Sequence, residues 1–317
     1  MAYGTSRRET ASFRCLGVAA IVACTLMTTG IAIADTDAIE KATGLHLLDS
    51  DAKVVAIVEV SRIMETPFGK QNLEATLASP QGQQFIAQVL EIQRKYGVNV
   101  LQDVYRVTLI APFTDGEPFA DVLFAVDARL NKHRIEQALA SLDGCPAERH
   151  AGCLIFEVTN GTGKFFCSAL SDSLFVVSID KRPIAKAIDR AAENMLGTSK
   201  RLADAINALP GSHMAWAVAD SSAFSREEQD WVLFRKNAEW FSVGVGIAGP
   251  VASLDATFQA PNEDAAVSLE ALLVKYLKGS DTSPQILGLL PAMIQPTAES
   301  ISVTRQGARV SISAVGL

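Results

Sequence analysis

The sequence predicts an α+β protein made of two β-α-β-β-α-β units, each an antiparallel sheet covered by helices. Three observations predict it. Apolar and polar residues alternate over residues 105–111, 251–258 and 308–315, the period-two pattern of strands with one wet face. Between such runs lie stretches that begin with helix-capping residues and carry an apolar stripe of helical period. The order of these elements passes through the same cycle twice, which reads as an internal duplication in the split ferredoxin-like order.

The first cycle opens at residues 54–60, an almost continuously apolar run suited to a strand covered on both faces. Thr66-Pro67 and Ser79-Pro80 each pair an N-cap with proline at the first helical position, where its missing N–H costs nothing. They begin the helical stretch 67–96. Strands follow at 105–111, where Arg106 and Thr108 face away from Val107 and Leu109, and at 120–126. Asn131 caps the helix 131–142, with Leu130 and Ile135 placed as a hydrophobic staple. A strand at 153–158 completes the first cycle.

A hairpin at 165–179 and helices at 181–195 and 199–209 come next. Asp180 is the expected cap of the first of these helices, with Ile179 and Ile184 as its staple. Pro210-Gly211 is the expected hinge. The second cycle runs through a strand at 214–219, a helix at 226–238 with a capping-box pattern at Ser225 and Glu228, and strands at 241–248 and 251–258. The helix 263–278 follows, and then a strand at 300–304 or 308–315. The 263–278 helix starts after Asn262 with Glu263 and Asp264 and ends with Lys275, Lys278 and Gly279, so charges match its dipole at both ends. Its expected core stripe is Leu269, Leu272, Leu273, Tyr276 and Leu277. The expected units are therefore 45–197 and 198–317, packed as one body.

The 317 residues are 49% apolar and 20% charged, with a formal charge of −7 and a pI near 5.2. A phosphate-tracking nucleic-acid binder needs clustered cations to displace counterions, so nucleic acid is not an expected partner. Arg7, Arg8 and Arg14 precede an uncharged stretch, 15–34, which ends in Ala32-Ile33-Ala34 before Asp35. This is the layout of a secretory signal, with cleavage expected between Ala34 and Asp35. The same stretch is long enough to serve as a retained anchor. Ile21-Val22-Ala23 before Cys24 also resembles a lipobox, which would lipidate Cys24. Each reading exports the body to the periplasm or cell envelope and limits membrane contact to this N-terminal segment. Residues 1–34 hold three Arg and one Glu, so losing them takes the formal charge to −9.

Motifs of catalysis fail on context. Gly244-Val-Gly246-Ile-Ala-Gly249 matches the dinucleotide fingerprint, but Pro250 and an alternating strand follow where a helix is required, and a hairpin turn at 248–250 accounts for the glycines. Gly161-Thr162-Gly163-Lys164 lacks the leading glycine and the Ser or Thr of a phosphate loop; Asn160-Gly161 reads as a hairpin. Ser212 beside His213 would point to the opposite face of a strand. Glu227, Glu228 and Asp230 read as a solvated helix start. No cofactor and no catalytic residue is expected.

Cys145, His150 and Cys153 lie in one short segment. A closed zinc site needs four ligands, whereas an oxidising compartment favours a Cys145–Cys153 disulfide. Cys167 then remains as a buried thiol. Trp216, Trp231 and Trp240, with Phe234 and Phe241, are expected to pack a core, with an aromatic ligand pocket as the alternative.

The run Val54-Val-Ala-Ile-Val-Glu-Val, then Glu65-Thr-Pro-Phe-Gly-Lys70, Tyr105-Arg-Val-Thr-Leu and Val122-Leu-Phe-Ala-Val-Asp-Ala128 resembles a loose group of exported bacterial proteins of unknown function, rich in planctomycete-type members. The resemblance covers residues 45–195. It implies envelope localisation and tandem strand–helix units, and it assigns no site residue. The expected function is a non-enzymatic binding or interaction role in the envelope, with an unknown protein or a small apolar ligand as partner. Alternatives are a hydrolase whose site is assembled from scattered residues and a carrier of apolar ligands.

Overall fold

A computed structural model describes residues 44–48, 51–78, 80–112, 121–160, 163–193, 199–209, 213–223, 236–248, 251–278 and 301–315. In chain order they form β1 (Val54–Val58), α1 (Val60–Glu65), α2 (Pro67–Ala78), α3 (Pro80–Tyr96), α4 (Val100–Asp103), β2 (Val104–Ala111), β3 (Leu123–Ala128) and α5 (Lys132–Ala140). Then come β4 (Ala147–His150), β5 (Cys153–Asn160), β6 (Gly163–Ala169), β7 (Leu174–Ser178), α6 (Lys181–Glu193) and α7 (Lys200–Asn207). The chain continues through β8 (Ala215–Asp220), β9 (Trp240–Ala248), β10 (Val251–Gln259), α8 (Glu263–Lys278), β11 (Ile301–Gln306) and β12 (Arg309–Val315). The protein is α+β with antiparallel sheet. The N-terminal segment with Cys24, Ala34 and Asp35, the Pro210-Gly211 hinge, Ser79, the Ser225/Glu228 capping box and most of the expected 226–238 helix lie outside the described residues.

The chain divides into two compact units. One comprises residues 1–49, 58–110 and 119–197; the other comprises 50–57, 111–118 and 198–317. The strand expected to open the first unit, β1, thus belongs mainly to the second, where it lies beside β8. It also stops at Val58, because Val60 already begins α1.

In the first unit the strand order is β2-β3-β7-β6-β5-β4. Its β2–β3, β3–β7, β7–β6, β6–β5 and β5–β4 pairs are all antiparallel. Helices cover both faces rather than one. Ile135 and Leu139 of α5 pack with Phe156, Cys167 and Ala169 on one face. On the other face lie Glu148 and His150, which α6 reaches with Lys181 and Asp189. Two-sided cover explains why Val176, Thr108 and Ser168 are fully buried, although Thr108 and Ser168 are polar.

The caps act largely as the sequence implies. The Asn131 side chain accepts from the Arg134 N–H at 2.9 Å, and Leu130 joins Ile135 in the core as a staple. Thr66 Oγ1 accepts from Gly69 N–H at 2.9 Å. Asp180 Oδ1 accepts from Arg182 N–H at 2.8 Å, a bond to a backbone donor that lowers its pKa. The Ile179–Ile184 staple does not form: Ile184 is buried and Ile179 is exposed. Gly97 ends α3 in the left-handed region at φ 74°, its N–H bonded to Gln93 O. A Cβ there would lie 2.6 Å from Arg134 Cζ. Gly97→Ala is therefore expected to cost about 1–2 kcal/mol through backbone strain alone, read as a lower urea midpoint at unchanged slope.

In the second unit the order is β11-β12-β10-β9-β8-β1. Strands β8, β9 and β10 neighbour one another in sequence order, and β12 returns antiparallel to β10. Period two puts Ala256, Val310, Ile312 and Ala314 on one face, where Ala266, Leu269, Leu273 and Leu277 of α8 cover them. Asn262 caps α8 by accepting from Ala265 N–H at 2.9 Å. α7, capped by Ser199, packs against β8 and β9.

Candidate functional site

Directly paired residues on neighbouring antiparallel strands point to the same side of a sheet. On the second unit's sheet, the side opposite α8 therefore carries transverse rows that can be read from the register. One row is Ser302, Ser313, Asp255, Gly244 and Trp216. The next is Thr304, Ser311, Thr257, Ser242 and Val218. Exposure grades along each row. Ser302, Thr304 and Ser313 are exposed, Ser311, Thr257 and Asp255 are half-buried, and Ser242 and Gly244 are buried. Neighbouring hydroxyls stand roughly 4.8 Å apart, the strand spacing. The result is a hydrogen-bonding surface on β10, β12 and β11.

Its inner end is closed by His213, which is 3% exposed. The imidazole lies over Gly244: a Cβ on that glycine would sit 2.2 Å from Nδ1 and 2.5 Å from Cε1. Nε2 lies 3.1 Å from Asp255 Oδ2. Asp255 itself keeps 42% side-chain exposure. A carboxylate thus faces outward while the imidazole that steadies it is turned into the sheet. The ring has no nitrogen at the surface to serve as a proton shuttle.

This corrects the reading of the glycine fingerprint. Gly244 and Gly246 lie within β9, not in a turn, and β9 leads to strand β10 rather than a helix. The missing side chains leave room for His213, and at Gly246 for Ser253 Oγ, 2.9 Å from where a Cβ would stand. Gly249 and Pro250 lie outside the described residues. Gly163-Lys164 opens a strand, β6, whose Gly163 pairs Asn160 across a hairpin.

The other histidines are dispersed. His133 meets Gln137 one turn along α5 at 2.8 Å. His150 Nε2 lies 2.8 Å from Asp189 Oδ1 and ties β4 to α6. His46 is half-buried in the 3-10 turn Gly44–Leu47. Among the described residues no three His, Cys, Asp or Glu side chains gather as a metal site. Glu227, Glu228, Asp230, Trp231, Phe234 and Ser212 lie outside the described residues.

The expected Cys145–Cys153 disulfide is not made; both thiols are free. A strand the sequence reading missed, β4, is the reason. It pairs His150 with Cys153, and Glu157 N–H donates to Pro146 O at 2.9 Å. Pro146 thus lies opposite Glu157 and Cys145 one step further, level with Val158, about 16 Å along β5 from Cys153 at ~3.3 Å per residue, against the ~7 Å limit on Cα separation for a disulfide. Burial pushes the Cys167 thiol up to about 12. Burial and then Glu157 raise that of Cys145.

The aromatic stretch divides between two faces. Trp216 and Trp240 share the side of Gly244, and Trp240 is buried. Phe241 turns to the α8 side and stacks on Phe258 at 5.8 Å between centroids. The described rings are sheet packing rather than one pocket.

No protein-family model matches the chain, and no curated protein does. Solved structures do. Crystal form III of TP0453 superposes with a TM-score of 0.50 at 10% identity, over 87% of this chain and 94% of that one. The fold resembles that of TP0453. Crystal form IV of TP0453 gives 0.47 at 10% identity over 86% and 92%, and crystal form I gives 0.44 at 10% over 87% and 93%. At this identity TP0453 bears on the fold and on no residue of the site. Among the described residues no helix is long and apolar enough to cross a membrane.

Sequence reasoning missed the hydroxyl rows. Their signal was present: Ser, Thr and, at 255, Asp fall on alternate positions of three strands, 251–259, 301–306 and 309–315.

Proposed function

We propose that this is a non-enzymatic binding protein of the cell envelope, exported by its N-terminal segment, whose contact surface is the open face of β10, β12 and β11. The observation that carries the reading is the pair of rows Ser302–Ser313–Asp255 and Thr304–Ser311–Thr257. They form a regular array of donors and acceptors without an activated nucleophile. The described acid–base pairs are occupied in holding elements together: His213 with Asp255, His150 with Asp189, and Lys181 with Glu148. A face of hydroxyls with one steadied carboxylate suits a polar protein partner better than an apolar ligand.

The two units are, on this reading, copies of one plan. In each, the strand before the helix, β3 or β10, takes as partner the last strand of the unit, β7 or β12. The helix in question is α5 or α8. The connecting layout supports duplication where residue identity does not.

A photo-cross-linking amino acid placed at Ser302 or Ser313 in the full-length protein, in the producing cells, tests the surface. Cross-links to an envelope partner are expected from these two positions and not from Val267, a comparably exposed site on α8. Equal capture from Val267, or reproducible turnover by the purified protein on hydrolase substrates, overturns the reading.

A further inference from the structure

We infer that Lys132 and Cys153 form a peroxide-sensitive pair in which oxidised Cys153 is captured by the Lys132 amine, cross-linking α5 to β5. The two residues are 21 apart in sequence, and the Lys132 ammonium donates to Cys153 Sγ at 3.7 Å. The amine is held there from two other sides. It donates to Leu170 O at 3.3 Å and lies 3.9 Å from Glu136 Oε1. The backbone of Lys132 is fixed as well, its N–H bonded to Asp172 Oδ1 at 2.8 Å. Both ends of the pair thus sit on anchored elements, and a four-carbon side chain can close the remaining gap by rotation.

The three described thiols differ in access. Cys167 is buried and Cys145 packs against the same apolar cluster, and burial disfavours the thiolate of both. Cys153 is half-exposed at the start of β5 and has a nitrogen nucleophile beside it. The chemistry needs one co-reactant, hydrogen peroxide. The sulfur attacks the peroxide: an S–O bond forms, the O–O bond breaks, the thiol is oxidised to a sulfenic acid and the peroxide is reduced to water. The Lys132 ammonium gives one proton to solvent, and its nitrogen lone pair attacks sulfur. An N–S bond forms, the S–O bond breaks, and the departing hydroxide takes a second nitrogen proton as water. The product is a sulfenamide, lighter than the reduced chain by two hydrogens and returned to thiol and amine by a thiol reductant.

The test is hydrogen peroxide treatment of the purified full chain, followed by intact mass and peptide mapping. The expected product is a reductant-reversible loss of two hydrogens that maps to a peptide joining Lys132 and Cys153. It is expected to be absent from Lys132→Arg, which keeps the cation beside the sulfur, and from Cys153→Ser. An unchanged unfolding midpoint shows that Lys132→Arg is folded. Mapping of the lost hydrogens to a Cys145–Cys153 or Cys145–Cys167 disulfide overturns the inference. So does the same product in Lys132→Arg, direct passage of Cys153 to sulfinic acid, or no reaction at Cys153.

Discussion

Arg106→Leu is expected to destabilise the first unit by about 3–5 kcal/mol, the cost of leaving one member of a buried ion pair alone. Arg106 Nε lies 2.8 Å from Glu59 Oε1. The two residues are 7% and 8% exposed, so water cannot take over the role of either partner. Asp127 stands directly opposite Arg106 across β2 and β3 and faces the same side. Removing the guanidinium would leave two carboxylates on a covered face. Glu59 is also the residue at which β1 gives way to α1. Urea unfolding checks the size of the loss. The double variant Glu59→Leu/Arg106→Leu should recover much of it, because an apolar pair carries no desolvation cost. A single variant that unfolds within 1 kcal/mol of the parent, a bound on the order set by exposed pairs, would contradict the assignment.

Gly244→Val is the second large effect, expected at about 3 kcal/mol, the upper end for forced overpacking. The space a side chain would need is filled by the His213 ring, and β9 is hydrogen-bonded on both sides, to β8 and β10. The strand cannot retreat, so the ring must leave and give up its contact with Asp255 Oδ2. An NMR resonance of the His213 ring reports that departure separately from stability. His213→Ala in the same background should restore part of the loss by vacating the space. If Gly244→Val leaves the His213 resonance in place, the ring does not occupy that space.

The parts of this molecule that were legible in the sequence are those fixed by neighbours along the chain. Asn131, Thr66 and Asn262 cap helices because a short polar side chain reaches the N–H groups two or three residues on. The alternation at 251–258 marks β10 because one face of it meets α8. What was not legible depends on register between distant segments. Ala147-Glu-Arg-His has no apolar alternation, yet it is a strand, turned back through Ala151 and Gly152 at positive φ. Without β4, no reading of the spacing between Cys145 and Cys153 could place them on different levels of β5. The candidate site has the same character. His213 and Asp255 are 42 residues apart, and Gly244 matters only because a third strand brings the ring above it. The hydroxyl rows were visible strand by strand, but their alignment into rows is a property of pairing.

The far flank of the first unit has a consequence of its own. A sheet that stops leaves a line of backbone donors and acceptors, and a second molecule can add its own strand there and continue without limit. In the first unit the sheet stops at β4, only four residues long, three of them ionisable. Glu148 is engaged by Lys181 and His150 by Asp189, which pins the strand against α6. A visiting strand would find a template too brief to hold it and charges it would have to strip of water. Molecules of this protein can therefore be crowded together without zipping into fibres through that flank.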